Sequence, residues 1–110
     1  MASPSAGEIG RQLGRLFGAG SAVGLTDREL IERFTERRGE SVEAAFETIL
    51  ARHGGLVWTV CRQVLGDAHA AEDAFQATFL VLVRRASSLR VREQGSLGPW
   101  LYGVAYRIAL

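Results

Sequence analysis

Apolar residues recur every three or four positions along two consecutive stretches of the chain, and a single glycine separates the two. The first stretch runs from Phe46 to Leu65 and the second from Asp67 to Ala86. This spacing puts the apolar side chains on one face of an α-helix. Gly66 is expected to end the first helix and Asp67 to cap the second. The pattern therefore predicts two long helices that pack antiparallel at the centre of an all-α fold.

Shorter helices are predicted on either side of this pair. Thr26 and Glu29 have the spacing of a capping box, which predicts a short helix from Asp27 to Arg37. Ser41 is the expected N-cap of the first long helix. With a last helix near the C-terminus, these elements predict a small bundle of about four helices.

The last helix is expected after a basic loop. Residues 87–98 have no sustained period and carry Arg90 and Arg92, which indicates an exposed, mobile loop. Ser96 is the expected cap of the following helix, and Pro99 suits its first turn. The apolar stripe of this helix comprises Trp100, Leu101, Val104, Ala105 and Ile108, whereas Tyr102, Tyr106 and Arg107 face away from it.

The chain divides into a leader and one domain. Residues 1–24 are rich in Gly, Ala and Ser, a composition typical of a flexible leader. The helical pattern occupies residues 25–110, which is long enough for a single core. The pattern is still running at Leu110, so the sequence is interpreted as the front part of a longer protein.

Composition is that of a globular protein, because 47% of the residues are hydrophobic and 23% are charged. The single cysteine, Cys61, excludes an internal disulfide and favours a reducing compartment. No stretch reaches the roughly 18 consecutive apolar residues of a membrane span. We therefore expect a cytoplasmic protein.

Residue patterns of catalytic or metal sites are not found in the sequence. His53 and Cys61 lie about 12 Å apart on one helix, too far to share an ion. Glu72 and Asp73 are neighbours that point in different directions on a helix. The sequence therefore predicts neither an enzyme nor a metal or cofactor site.

The face of the second long helix that points away from its apolar side has an unusual composition. It carries an acid, an amide and an apolar side chain one turn apart, at Asp73, Gln76, Ala77 and Leu80. The opposite, core-facing side comprises Ala71, Ala74, Phe75, Thr78, Phe79, Leu82, Val83 and Ala86. A face that only meets solvent is rarely built with an extra leucine.

The C-terminal quarter combines cationic and aromatic side chains. The last 27 residues carry five Arg and one Glu, a net charge of +4, whereas the whole chain carries +1. Side chains of the kind that contact unstacked bases and phosphates are Arg90, Arg92, Trp100, Tyr102, Tyr106 and Arg107. Composition alone favours the alternative, in which Trp100 belongs to the core and the tyrosines are half-buried at the domain edge.

The block CRQVLGDAHAAEDAFQATFLVL, followed downstream by WLYGVAYR, resembles region 2 of bacterial RNA polymerase sigma factors of the extracytoplasmic-function type. It is similar in particular to the variants common in planctomycete-type members. The resemblance runs from about Asp27 to Leu110. It implies a helical domain that binds core RNA polymerase and recognises the minus-ten promoter element during transcription initiation.

The resemblance also implies roles for the two surfaces. The second long helix would bind the clamp helices of the polymerase beta-prime subunit through Asp73, Gln76, Ala77 and Leu80. The loop would capture a base flipped from the non-template strand of the minus-ten element, and the helix from Trp100 would contact that element as the strands separate. An anti-sigma factor is a further partner in this family, and no cofactor is implied.

Two positions depart from the family pattern. Arg107 stands where many members carry an asparagine, and Gly103 stands where a larger, often basic residue is usual. These departures leave an alternative open, in which the chain is a helical protein-interaction domain that kept the sigma fold but does not bind promoters.

Overall fold

Four α-helices form the part of the chain that the computed structural model describes, residues 22–36 and 40–110. In chain order they are α1 (Asp27–Glu36), α2 (Glu40–Leu65), α3 (Ala68–Arg85) and α4 (Gly98–Ala109), with a short 3₁₀ turn at Ala86–Ser88. These described residues contain no β-strand, which confirms the predicted all-α fold. α2 lies at the centre, because it packs against each of the other three helices.

The predicted capping box starts α1. The Thr26 hydroxyl accepts a hydrogen bond from the Glu29 N–H at 3.1 Å, and the Glu29 carboxylate accepts one from the Thr26 N–H at 3.1 Å. The Thr26 hydroxyl also donates to the Glu29 carboxylate at 3.0 Å. The pKa of Glu29 is lowered by the two donors to its carboxylate, first the Thr26 N–H and then the Thr26 hydroxyl. The helix ends at Glu36, and Arg37, where it was predicted to end, lies outside the described residues.

The turn between α2 and α3 also has the predicted geometry. Gly66 has a φ of 72°, a left-handed conformation that glycine adopts without steric cost. The Asp67 carboxylate accepts a hydrogen bond from the Ala70 N–H at 3.0 Å and so caps α3. The predicted N-cap of α2 is wrong, because α2 begins at Glu40 and therefore includes Ser41.

Aromatic rings hold the α2–α3 hairpin together. Phe79 packs edge-on against Phe46, with ring centroids 6.2 Å apart, and against Phe75 at 5.0 Å. Phe34 of α1 lies 6.1 Å from Phe46 and extends the cluster. A Cβ atom at Gly54 would lie 3.7 Å from the Phe75 ring, so the two helices approach closely there without a break in α2.

α4 packs against both long helices through Leu101 and Ala105, which are fully buried. Its N-cap is Leu97 rather than the predicted Ser96. The Ser96 hydroxyl accepts a hydrogen bond from the Gly98 N–H at 2.9 Å, so it still serves the first turn. Ile108 was predicted to belong to the apolar stripe, but it is exposed at the edge of the bundle.

Most of the predicted leader, residues 1–21, lies outside the described residues. The described chain begins at Ala22, which is buried against the bundle and accepts a hydrogen bond from the Leu25 N–H at 3.1 Å. Across residues 22–36 and 40–110, no helix is long and apolar enough to cross a bilayer. The same residues hold no group of three or more His, Cys, Asp or Glu side chains placed to bind a metal ion.

Candidate functional site

The outer face of α3 presents the residues that the sequence singled out, which we call the α3 stripe: Asp73, Gln76, Ala77 and Leu80. Asp73 and Gln76 are exposed, Ala77 is half-buried, and Leu80 is 55% exposed. On the opposite face Thr78 is buried, and its hydroxyl donates to the Ala74 carbonyl of the same helix at 2.7 Å. The stripe therefore lies on the side of α3 opposite its buried residues, and it includes one large exposed apolar side chain.

An apolar groove between α2 and α3 adjoins the α3 stripe. It is lined by Phe46, Leu50, Phe75, Gln76, Phe79, Leu80 and Val83. Gln76 and Leu80 belong to both features, so the stripe and the groove form one continuous surface. Sequence reasoning missed this extension, because Phe46 and Leu50 follow the core-facing period of α2 and only their outer edges reach the surface.

The outward face of α4 carries two tyrosines one turn apart. Tyr102 is 48% exposed and Tyr106 is 43% exposed. Their rings are parallel within 5°, with centroids 6.3 Å apart. Both side chains are therefore partly accessible to solvent, and an accessible aromatic ring is needed for stacking on a nucleic-acid base.

A second groove, which we call the α4 groove, runs between α4 and the C-terminal end of α3. It is lined by Val81, Arg85, Ser88, Leu89, Trp100, Val104, Arg107 and Ile108. Trp100 is half-buried in its wall, and two guanidinium groups belong to the lining. Trp100 was predicted to be either a core residue or a contact residue. In the structure it is half-buried, so part of the indole is accessible.

The six predicted nucleic-acid contacts do not form a single cluster. At about 100° per residue, Trp100 and Arg107 lie on one flank of α4 and the two tyrosines lie on the other. Arg90 lines a separate depression together with Arg28 and Ile31 of α1. The Arg92 carbonyl accepts a hydrogen bond from the Gly95 N–H at 2.8 Å, which closes a turn within the loop.

The loop that carries Arg90 and Arg92 is anchored at its two ends. Leu89 and Val91 are partly buried against the core, and Leu97 is fully buried. The cationic side chains are exposed between these anchors. The sequence predicts a mobile loop because its apolar residues show no regular spacing. The three residues that anchor it are too irregularly placed to form a helical or strand pattern.

A buried polar cluster was missed altogether. Asp27 at the start of α1 is 6% exposed. Its carboxylate lies 2.8 Å from His53 Nε2, accepts a hydrogen bond from Arg52 at 3.2 Å, and accepts one from the Leu97 N–H at 2.7 Å. We call these four residues the Asp27 cluster. It joins α1, α2 and the residue that precedes α4.

Burial alone raises the pKa of the Asp27 carboxyl, but the contacts in this cluster more than reverse that effect. The Leu97 N–H, the charge and hydrogen bond of His53 and the Arg52 hydrogen bond together hold this pKa below its ordinary value. The available signal in the sequence was His53, a histidine on the core-facing period of α2, since a buried imidazole needs a polar partner. Its partner lies too far along the chain to be identified from spacing.

Cys61 is the free cysteine of the described chain and is fully buried in α2. Burial raises the pKa of its thiol. The protonated thiol is a weak nucleophile and a weak metal ligand. Cys61 therefore packs as a small apolar side chain.

A protein-family model described as Sigma-70 region 2 matches residues 49–110, more than half of the chain. The chain belongs to the sigma-70 region 2 family. Region 2 in general binds core RNA polymerase and recognises the minus-ten promoter element. Comparisons with curated proteins and with solved structures gave no significant match.

The family match begins at Ile49, in the second turn of the Phe46–Leu65 stretch, so it covers most of α2 and all of α3 and α4. Both candidate surfaces of this region 2 chain lie mainly within the matched residues. Asp27 lies before them, and the Asp27 cluster therefore links α1 to the matched part of the bundle.

Proposed function

We propose that this chain is region 2 of a sigma factor of the extracytoplasmic-function type that acts in the cytoplasm. It binds the clamp helices of the beta-prime subunit through the α3 stripe, and it recognises and opens the minus-ten element through the 87–98 loop and α4. The observation that carries the proposal is the match to sigma-70 region 2 over residues 49–110. The exposed faces of α3 and α4 supply two distinct surfaces for the two partners.

The polymerase side of the proposal depends on the chemistry of the α3 stripe. Leu80 is largely exposed and borders an apolar groove, so a partner helix laid across α3 would bury apolar surface there. Full burial of one leucine side chain contributes about 1.5–3 kcal/mol. Asp73 and Gln76 flank that contact and supply an acceptor and an amide that set the partner's orientation.

The promoter side of the proposal depends on stacking and charge. Unpairing and flipping a base costs a few kcal/mol, and stacking it on an aromatic ring returns about 1–3 kcal/mol. Tyr102, Tyr106 and the accessible part of Trp100 provide such rings. Arg90, Arg92 and Arg107 are exposed and provide phosphate contacts, which makes the binding salt-dependent. No covalent step is involved.

The polymerase contact is tested with a double variant, Asp73→Arg with Gln76→Ala, in a binding assay with purified core polymerase. We expect the affinity to fall at least tenfold, about 1.4 kcal/mol, because a charge is reversed and an amide lost at the interface. Glu36→Arg reverses an exposed acid at the end of α1 and is the matched control. An unchanged affinity of the double variant would rule out the α3 stripe as the polymerase contact.

The promoter contact is tested by fluorescence anisotropy with a single-stranded minus-ten oligonucleotide and a scrambled one. We expect the chain, alone or in complex with polymerase, to bind the first oligonucleotide more tightly and to lose affinity as salt rises. Arg107→Ala should weaken this binding, whereas Arg33→Ala on α1 should not. Equal binding of both oligonucleotides, or none, argues against promoter recognition.

The second candidate is a helical protein-interaction domain without promoter function. It is favoured by Gly103, where a Cβ atom would lie 3.6 Å from Arg107 Nη2, so the two departures from the family pattern adjoin one another on α4. In this case the groove beside the α3 stripe would still accept a partner helix. The same anisotropy measurement separates the two candidates, because only the sigma factor binds the minus-ten strand selectively.

A further inference from the structure

A residue of α1 takes part in capping α4. Asp27 Oδ2 accepts the N–H of Leu97, the N-cap residue of α4, at 2.7 Å across 70 positions of sequence. In a capping box, the N-cap N–H is bonded by a Glu or Gln at the third helical position. That position in α4 is Trp100, whose side chain has no acceptor. Asp27 therefore takes the place of a residue that α4 itself lacks.

The Asp27 carboxylate is held in place from α2. Arg52 bonds its Oδ1 with one guanidinium nitrogen at 3.2 Å and donates the other to the Val23 carbonyl at 2.6 Å. His53 Nε2 lies 2.8 Å from Oδ2, the same oxygen that accepts the Leu97 N–H. The bond to Leu97 therefore ties the start of α4 to a carboxylate whose position is set by two consecutive residues of α2.

The first turn of α4 lies directly against this carboxylate and its partners. A Cβ atom at Gly98 would lie 3.9 Å from His53 Nδ1 and 3.2 Å from the Ser96 hydroxyl. Leu97 and Leu101 are fully buried, but apolar contacts alone permit small sliding movements of a helix. A short charge-assisted hydrogen bond is more directional and restricts such sliding.

We infer that Asp27 is a positioning residue for promoter recognition, which fixes the first turn of α4 and the end of the preceding loop relative to α2. The inference rests on the proposed function, because the side chains whose position it fixes are the proposed promoter contacts. Asp27 is buried and does not itself reach the outward face of α4. Its direct contact with the start of α4 is the hydrogen bond from the Leu97 N–H.

A buried ion pair by itself is weak evidence of a stabilising role, since apolar residues of similar volume often stabilise a fold equally well. The location of this pair is more informative. Its carboxylate binds Leu97, which joins the loop of Arg90 and Arg92 to α4. A small rotation of α4 about this point would displace both Trp100 and Tyr102. The cluster therefore controls orientation at the point where the proposed DNA-binding elements meet.

The positioning role is tested by amide hydrogen exchange on the full chain, with Asp27→Ala compared with Thr26→Ala. We expect Asp27→Ala to raise the exchange rate of the Leu97 amide about tenfold more than that of amides in the α2–α3 hairpin. Thr26→Ala removes the capping hydroxyl one residue earlier and should raise exchange in α1 only. Unchanged Leu97 protection in Asp27→Ala, or an equal loss in Thr26→Ala, would overturn the inference.

The functional consequence is measured with the same two variants at a temperature where both are fully folded. We expect Asp27→Ala to weaken binding to the minus-ten oligonucleotide about tenfold and binding to core polymerase less than about twofold. Equal losses for both partners, or no loss for either, would contradict a positioning role. If the unaltered chain fails to bind the oligonucleotide, the proposed function fails, and the exchange measurement still decides whether Asp27 positions α4.

Asp27→Asn serves as the second variant if Asp27→Ala does not fold. The amide keeps the size of the carboxylate and one oxygen acceptor, but a neutral acceptor binds the Leu97 N–H less strongly. We expect the same selective rise in Leu97 exchange, with a smaller amplitude. Leu97 protection equal to that of the unaltered chain would then count against the inference.

Discussion

The α2–α3 hairpin is held by apolar contacts, whereas the start of α4 adds a buried polar contact to the apolar packing of that helix. In the hairpin, the rings of Phe46, Phe75 and Phe79 pack within 6.2 Å of one another in consecutive pairs, across a turn of two residues. At the start of α4, a hydrogen bond of 2.7 Å joins Asp27 to Leu97 across 70 positions. The ring contacts are apolar and join consecutive helices, whereas the Asp27–Leu97 bond is polar and long-range.

The two kinds of contact affect different properties, the stability of the fold and the orientation of its helices. Apolar packing supplies most of the free energy of folding but is non-directional, so it tolerates small shifts. Hydrogen bonds to a charged group contribute about 1.5–3 kcal/mol each and depend on distance and angle. The hairpin is therefore expected to set the stability of the domain and the shape of the α3 stripe. The Asp27 cluster is expected to set the direction in which α4 points.

The largest effect on stability is expected from Phe79→Ala, which tests the apolar half of the comparison. Phe79 is buried and contacts both Phe46 and Phe75, so its truncation leaves a cavity at the centre of the hairpin. The free energy of unfolding should fall by about 3–5 kcal/mol in urea denaturation followed by circular dichroism. Phe79→Leu is the matched control and should cost about 1.5 kcal/mol or less. Similar losses for both variants would show that the ring contacts do not stabilise the hairpin.

Asp27→Asn tests the polar half and should have the second largest effect. The variant loses the carboxylate charge that faces the Arg52 guanidinium at 3.2 Å and that accepts the Leu97 N–H, so the free energy of unfolding at neutral pH should fall by about 2 kcal/mol. Because the pKa of Asp27 is lowered in the folded chain, this stabilisation is present above the unfolded pKa of about 3.9. It is lost as the pH falls through the folded value.

The stability difference between the unaltered chain and Asp27→Asn should depend on pH in one direction. Urea denaturation of the unaltered chain and of Asp27→Asn should show the unaltered chain to be the more stable at about pH 5 and above. The difference should then shrink below about pH 4, as the carboxylate becomes protonated. A difference that grows in acid would mean that the pKa of Asp27 is raised by burial. In that case the contacts to Leu97, His53 and Arg52 would not be the dominant influence on its charge.

The same comparison explains what the sequence could predict. The capping box of Thr26 and Glu29 and the Gly66-Asp67 turn were predicted because their partners lie within three residues of each other. The outward direction of the α3 stripe followed from the helical period. The Asp27–Leu97 bond could not be predicted, because an acid in a first turn has a sufficient local explanation in the helix dipole.

The distribution of the proposed DNA contacts was only partly predictable. The separation of Trp100 from the tyrosines follows from the helical angle alone, once the start of α4 is known. The position of Arg90 beside α1 does not, because the loop has no period from which a direction can be read. Loop positions depend on tertiary anchors, here Leu89, Val91 and Leu97. Sequence spacing gives no access to those anchors.

Substitutions of two glycines in the hairpin are expected to change the stability of the fold by smaller amounts. They test whether the turn between α2 and α3 depends on its backbone conformation. Gly66→Ala places a Cβ on a residue with a φ of 72° and should destabilise the fold by about 1 kcal/mol. Gly55→Ala is the control, because it lies inside α2 with open space around it and should stabilise the fold by about 0.5–1 kcal/mol. Thermal unfolding measures both changes. The same sign for both would show that the turn does not require its left-handed residue.

The smallest effect on stability is expected from Leu80→Ser, which separates docking from folding. Leu80 is 55% exposed, so its replacement by a polar residue should change the free energy of unfolding by no more than about 0.5 kcal/mol. Affinity for core polymerase should nevertheless fall about tenfold or more, since the leucine is the large apolar side chain of the α3 stripe and lines the adjoining groove. Val23→Ser, at another exposed apolar residue, is the control for a general loss of surface hydrophobicity.

Equal polymerase affinity for Leu80→Ser and the unaltered chain would mean that Leu80 lies outside the contact. Because the hairpin stays folded in this variant, such a result would count against the proposed docking surface and leave the apolar half of the comparison intact.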